Sequence, residues 1–142
     1  MNCVTDIEVE KTAAPQATEL RLPGGILGFE QMKDYLLIAN PDEEPFLWLQ
    51  VKDDATLAFV VIDPFLVAPD YRPDISQAEV ESVGLKEAGD ALLLNIVTVH
   101  GHSRATVNLK GPIVINRHTR VAKQVVITNA ANYSVQHPLP LS

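Results

Sequence analysis

Four histidines, a single cysteine and two runs of carboxylates are the residues with which this chain could do chemistry. His100 and His102 flank Gly101, and on extended backbone an i, i+2 pair shares one face, as two ligands of a metal would have to. Two ligands do not make a structural zinc site, however, and His118 and His137 stand well apart in sequence. The segment His100-Gly101-His102-Ser103 reads better as a hairpin loop with Gly101 in the turn. Cys3 has no second cysteine to pair with and no histidine near it in sequence to depress its pKa. Asp42-Glu43-Glu44 and Asp53-Asp54 fall in polar turns, where carboxylates stay solvated and ionised rather than tuned for acid–base work. Gly24-Gly25-Ile26-Leu27-Gly28 has neither the Lys-Ser or Lys-Thr of a phosphate loop nor the strand-to-helix setting of a dinucleotide fingerprint, and reads as a turn. On these residues the expectation is no catalytic group, no metal and no cofactor.

The elements that would position such residues are strands. Tyr35–Ala39, Phe46–Val51, Leu57–Ile62, Leu92–Val99, Ala105–Leu109, Pro112–Asn116 and Gln124–Ile127 are short runs rich in β-branched and aromatic residues. Turn signals at Asn40-Pro41-Asp42, Lys52-Asp53-Asp54, Asp63-Pro64, His100-Gly101, Lys110-Gly111 and Asn129 separate them. Connections this short predict antiparallel neighbours. The expected fold is mainly β: a single small antiparallel β-barrel-like domain with one or two short helices. The helix signal is Ser76 with Glu79 three residues later, the spacing of a capping box, followed by a stop at Gly84. Alternation predicts that Trp48, Phe59, Leu94, Ile96, Ile113 and Ile115, the bulkiest residues of their runs, face the interior. Residues 1–17 and 140–142 have the least periodicity and are expected to fray.

With 142 residues, 46% of them hydrophobic and 20% charged, the chain makes one globular domain, 1–142. No apolar run approaches the roughly 20 residues that span a bilayer, and the start lacks a basic segment followed by an apolar one. A cytoplasmic protein without membrane contact is therefore expected. Net charge is −7, and it is unevenly spread: all 18 acids lie in residues 1–90 beside six bases, whereas residues 91–142 hold five bases and no acid. Phosphate neutralisation supplies most nucleic-acid affinity, so this balance argues against direct nucleic-acid binding. It suits a basic protein partner, and it is equally what plain solubility produces.

Several segments together resemble one family. These are Leu22-Pro23-Gly24-Gly25-Ile26-Leu27-Gly28-Phe29-Glu30, Phe46-Leu47-Trp48-Leu49-Gln50, Ile62-Asp63-Pro64-Phe65 with Asp70-Tyr71, Leu94-Asn95-Ile96-Val97-Thr98, the run Ala105–Asn116, Lys123-Gln124-Val125-Val126, and Asn132-Tyr133 with His137-Pro138-Leu139. In this order and spacing, over about residues 20–139, they resemble the FliW family of flagellar assembly factors. The family commonly has Pro at the place of Leu27 and Ser at the place of Val51. The resemblance implies a small antiparallel β domain in the bacterial cytoplasm that is not an enzyme. It implies two partners: a CsrA-type translational repressor, which the factor antagonises, and newly made flagellin, so that flagellin synthesis is coupled to its assembly. The candidate protein-binding residues are the five carboxylates bracketing Phe46–Val51, namely Asp42, Glu43, Glu44, Asp53 and Asp54, and the C-terminal Asn132, Tyr133, His137 and Pro138. For the latter four, a tail held down by Tyr133 and His137 is the competing expectation. The competing function is a small ligand-binding or enzymatic β-barrel with a histidine-lined mouth.

Overall fold

The computed structural model describes residues 16–101 and 104–140. Nine strands form one antiparallel sheet: β1 (Gln16–Arg21), β2 (Asp34–Ala39), β3 (Leu47–Val51), β4 (Asp54–Ile62), β5 (Ala91–Val99), β6 (Arg104–Val107), β7 (Ile113–Asn116), β8 (Ala122–Gln124) and β9 (His137–Pro140). Two helices interrupt it between β4 and β5: α1 (Pro64–Val67) and α2 (Gln77–Val83). The nine-residue β5 is the hub. Its first four residues pair with β7, Asn95–Val97 pair with β4, and Val97–Val99 pair with β6. The Asn108–Pro112 stretch between β6 and β7 is kinked. Asn95 sits at this kink, donating from Nδ2 to the Asn108 carbonyl at 2.7 Å, while the Tyr71 hydroxyl donates to the Leu109 carbonyl at 2.6 Å. The far edge curls round until Arg21 bridges Val121, just before β8, with the Arg21 amide donating to the Arg120 carbonyl at 3.0 Å. The sheet is rolled and barrel-like without a continuous closing ladder.

Apolar residues cover both faces of this sheet over its central strands, which explains the unbroken Val60–Ile62 and Ile113–Ile115 runs. Leu20, Tyr35, Leu49, Val51, Val61, Leu94, Ile113 and Ile115 fill the concave interior, and Leu22 and Ile26 from the first turn close one end of it. On the outer face, Ile62, Val97, Val107 and Leu109 lie beneath Tyr71 and the C-terminal segment, and Val114 lies beneath Val83 of α2.

The expected helix is present. Ser76 Oγ accepts from the Glu79 amide at 3.3 Å, and Gly84 ends the helix in the left-handed region, φ 78°. Of the six residues expected inside, Leu94, Ile113 and Ile115 are buried in the interior cluster, and Phe59 and Ile96 pack against it. Trp48 does not face inward. Leu49 and Val51 hold the inner face of β3, so Trp48 points to the other side, half-buried, with its indole N–H donating to Glu43 Oε1 at 2.9 Å. Bulk was a poor guide there, because an indole N–H needs a polar partner that the interior does not offer. Ile115, by contrast, is 2% exposed between Leu92 and Ala122. Ile115→Ala is expected to cost about 2–5 kcal/mol in chemical denaturation; a loss below about 1 kcal/mol would show that the site collapses around the smaller side chain.

Two strands reach into the segments expected to fray. β1 includes Gln16 and Ala17, and β9 reaches Pro140; residues 1–15, 141 and 142 fall outside the described residues. The ladder of β8 covers Ala122–Gln124, whereas the sequence pattern placed a strand at Gln124–Ile127, where Val125 and Ile127 are buried outside any ladder.

Candidate protein-interaction surfaces

The acidic turns stand at opposite ends of β3. Asp42 and Glu43 occupy a single 3-10 turn, Pro41–Glu43, started by Asn40, whose side chain accepts from the Asp42 amide at 3.2 Å. Pro41 fits the first turn of such a helix because its missing N–H would go unused. All of Pro41–Pro45 is exposed. At the other end, Lys52 and Asp53 make the two-residue loop of the β3–β4 hairpin, where Val51 pairs with Asp54. Asp54 is turned back on its own strand: the Thr56 hydroxyl and amide both donate to Oδ1 and hold the carboxyl below the ordinary carboxylate range. Five residues of strand separate the two turns, roughly 17 Å at about 3.3 Å per residue, so they make two patches rather than one.

Two more acids join the hairpin patch from strands far off in sequence. Lys52 reaches Glu19 Oε2 at 2.6 Å rather than Asp53 or Asp54, and Arg21 pairs with Asp34 at 3.4 Å. The hydrogen bond and charge of Glu19 raise the Lys52 pKa. Glu19 and Asp34 were not singled out from sequence, because only the β1–β2–β3 register sets them beside Lys52.

The C-terminal candidates are divided. Asn132 is exposed at the end of a 3-10 turn, Ala130–Asn132. Tyr133 folds back: its ring meets Tyr71 edge-on at 5.0 Å between centroids, and its hydroxyl accepts from the Arg72 amide at 2.9 Å. His137 and Pro138 belong to β9 opposite Val107 and Thr106. Asn129, read from sequence only as a turn residue, clamps the same loop, its Oδ1 accepting from the Asp74 amide and its Nδ2 donating to the Arg72 carbonyl, each at 2.8 Å. Tyr133 and the β9 ladder hold this segment against the domain; the ladder, not a side-chain hydrogen bond, places His137.

The histidines are scattered. His100 Nε2 lies 2.9 Å from Thr106 Oγ1, with Gly101 beyond it at φ 82°, as expected of a hairpin loop; His102 lies outside the described residues. His118 contacts Asp90 Oδ1 at 2.9 Å and His137 is in β9. Among the described residues no three His, Cys, Asp or Glu converge as metal ligands; Cys3 lies outside them. Asp90 has a structural task instead. The amides of Lys86 and Glu87 donate to its Oδ2 at 3.0 Å each, and chiefly for that reason its carboxyl titrates below the usual 3.8. A carboxyl depressed by folding contributes stability that is complete above its unfolded pKa and is lost as pH falls through the folded one. Asp90→Ala is therefore expected to destabilise the domain at neutral pH and to narrow the gap to the wild type below about pH 4. Denaturant midpoints across that range measure it, and a gap independent of pH would assign the effect to packing.

The first glycine turn forms a lid over one end of the interior. Ile26 is buried, Phe29 meets Phe59 edge-on at 5.2 Å, and Lys33 Nζ donates to the carbonyls of Pro23 and Glu30 at 2.8 Å each. Leu27 at its tip is 80% exposed, and its amide donates to Gln124 Oε1 at 2.9 Å, a bond that a proline at this place cannot make.

The comparison with known proteins addresses the whole of this framework. The family model described as FliW protein matches residues 3–139. The chain belongs to the FliW family. A flagellar assembly factor FliW of Leptospira interrogans is 42% identical over 115 residues, covering 80% of this chain and 77% of that one. Another, from Natranaerobius thermophilus, is 38% identical over 122 residues, covering 84% and 80%. A crystal structure of the flagellar assembly factor FliW superposes with a TM-score of 0.77 at 38% identity, covering 84% of each chain. The mainly β fold and the family resemblance read from the segments above both stand. The FliW-like segments are largely framework: the Leu22–Glu30 lid, the inner face of β3, the Asp63 cap of α1 and the kinked β6–β7 edge. No helix among the described residues is long and apolar enough to cross a membrane.

Proposed function

We propose that this FliW-family chain works by binding proteins and not by catalysis: in the cytoplasm it binds and antagonises a CsrA-type translational repressor, and it also binds flagellin, which couples flagellin translation to assembly. Family membership across residues 3–139 carries the reading. Two proteins that exclude one another on one small domain would switch by mass action, since free flagellin would withdraw the factor from the repressor. The carboxylates at both ends of β3, exposed at Asp42, Glu43, Glu44 and Asp53 and half-buried at Asp54, support the repressor half, because complementary charge raises the encounter rate with a basic partner. Asp42, Glu43 and Glu44 at one end, and Asp53 and Asp54 at the other, are the proposed steering residues. Asn132, His137 and Pro138 are the proposed flagellin-side contacts, while Tyr133 holds their segment in place.

The histidine-lined barrel is the weaker reading. Leu, Ile and Tyr side chains fill the interior, and the described histidines take separate hydrogen bonds or a ladder position.

Rim charges set the on-rate and its salt dependence, whereas buried anchors set the off-rate. Asp53→Lys combined with Asp54→Lys is therefore expected to slow association with the repressor. The effect should be larger at about 0.01 M salt, where the Debye length is about 30 Å, than at about 0.15 M, where it is about 8 Å. Flagellin association should change less. Stopped-flow rates equal to the wild type at both salts would remove the hairpin patch from the proposal, and no binding of either protein to the wild-type chain would overturn the proposal itself.

A further inference from the structure

Between α1, the Pro73–Ile75 stretch, α2 and the start of β5 runs a groove of about 540 Å3. Ile75, Val80, Leu85 and Leu93 make its floor. They are there because the outer face of the sheet is apolar over β7, and Ile75, Leu85 and Leu93 cover Val114 and the buried side of α2. At the mouth Phe65 is 44% exposed, and the next residue, Leu66, is 64% exposed. Exposed apolar side chains continuous with an apolar groove are what a protein-interaction or ligand-binding surface presents.

Charge narrows the occupant. Asp63 and Glu87 line the groove, with Lys86 the one base lining it among the described residues. Outside the lining, the same segment, residues 63–93, carries five further acids, Asp70, Asp74, Glu79, Glu81 and Asp90, and one further base, Arg72. Nucleic acid is repelled by such a rim, and an uncharged apolar ligand gains nothing from it. An α-helix is about 10–12 Å across with its side chains, so the groove accommodates a few anchor side chains from one helical face rather than a whole helix. Anchors spaced i, i+3, i+4 and i+7, flanked by cations, fit an apolar floor between carboxylates.

We propose that this groove receives an amphipathic helix of a protein partner whose apolar face is flanked by Lys or Arg. The assignment rests on the reading that the chain acts by binding proteins, and it gives the groove to the basic partner of the two.

The test uses the full chain and a fluorescein-labelled helix of about 14 residues, with Leu at the anchor positions and Lys at the others, beside a second peptide with Glu in place of Lys. By anisotropy the Lys peptide should bind and the Glu peptide should not. Lys86→Glu makes the rim more acidic and should tighten binding about threefold at low salt. Ala88→Trp places an indole at an exposed groove-lining position and should weaken binding at least about tenfold without lowering the melting temperature. Equal binding of the Lys peptide to wild type and Ala88→Trp would overturn the proposal, as would equal binding of the two peptides. So would a dimer of this chain, by sedimentation, that Ala88→Trp dissolves, since a second copy would then be the occupant. The purified repressor separates this assignment from the function proposed above. If it binds wild type and Ala88→Trp alike, the groove assignment falls and the function stands. If it binds neither while the Lys peptide still distinguishes them, the function falls and the groove retains a cationic helix as its ligand.

Discussion

Gly25→Ala is expected to destabilise the domain by about 3 kcal/mol, the largest loss for the addition of one methyl group anywhere in the first turn. Gly25 has φ 67°, a conformation in which an alanine is already strained. A Cβ there would also lie 2.6 Å from the Glu30 Cα and 2.6 Å from the Phe29 carbonyl oxygen, both backbone atoms that cannot swing aside. Relieving the clash would lift the lid that seats Ile26 in the interior and Phe29 on Phe59. Gly28 separates the two causes. Its φ is 90°, but a Cβ there meets nothing within 4 Å, so Gly28→Ala should cost only the conformational part, about 1–2 kcal/mol. In a chain of this size each kcal/mol moves Tm by roughly 2–5 °C, which puts Gly25→Ala on the order of 10 °C below the wild type. Equal losses for the two variants would mean that the Phe29–Glu30 backbone yields, and that the lid is not fixed by this contact.

Removing residues 132–142 is expected to cost at least about 3 kcal/mol. The deletion exposes the β6 edge that β9 covers from Arg104 to Val107, takes Leu139 out of the outer apolar cluster and strips Tyr133 from Tyr71. It also leaves the Arg72 amide without the Tyr133 hydroxyl. Tyr133→Phe isolates that last bond and should lose about 1 kcal/mol with the ring stacking intact. A truncated chain that melts like the wild type and has lost flagellin would show that the segment is a contact surface only, and not a tie.

The acidic turns were legible in the sequence because Pro, Asn and Asp punctuate the chain for local reasons: ring geometry, side-chain capping and hydration. Asn40 and Pro41 start their 3-10 turn, and Ser76 and Gly84 delimit α2, through contacts within a few residues. The facing of β3 was legible only in part. Alternation gave two choices, and the choice that put Trp48 inside was settled against by the indole's need for Glu43. The strands β1 and β9 were not legible at all. Gln16–Arg21 has one buried apolar residue, Leu20, and His137–Pro140 has prolines that bar it from the middle of a sheet. Each is a strand because a neighbour offers it an edge: six register pairs with β2 for the first, four with β6 for the second.

Local rules therefore sufficed for the strand-rich class of fold, the short helix and its caps and the hairpin turns, since each depends on residues near one another in the chain, and the family resemblance needed only the order and spacing of such segments. Which charges share a patch, which tyrosine anchors the tail and where an apolar groove opens depend on contacts between residues far apart. Glu19 meets Lys52 across 33 positions, Arg72 meets Tyr133 across 61, and the groove is walled by Phe65 and Leu93 from opposite sides of α2. Such contacts are decided by how the rolled sheet buries both of its faces at once, a condition on the whole chain that no window of sequence contains.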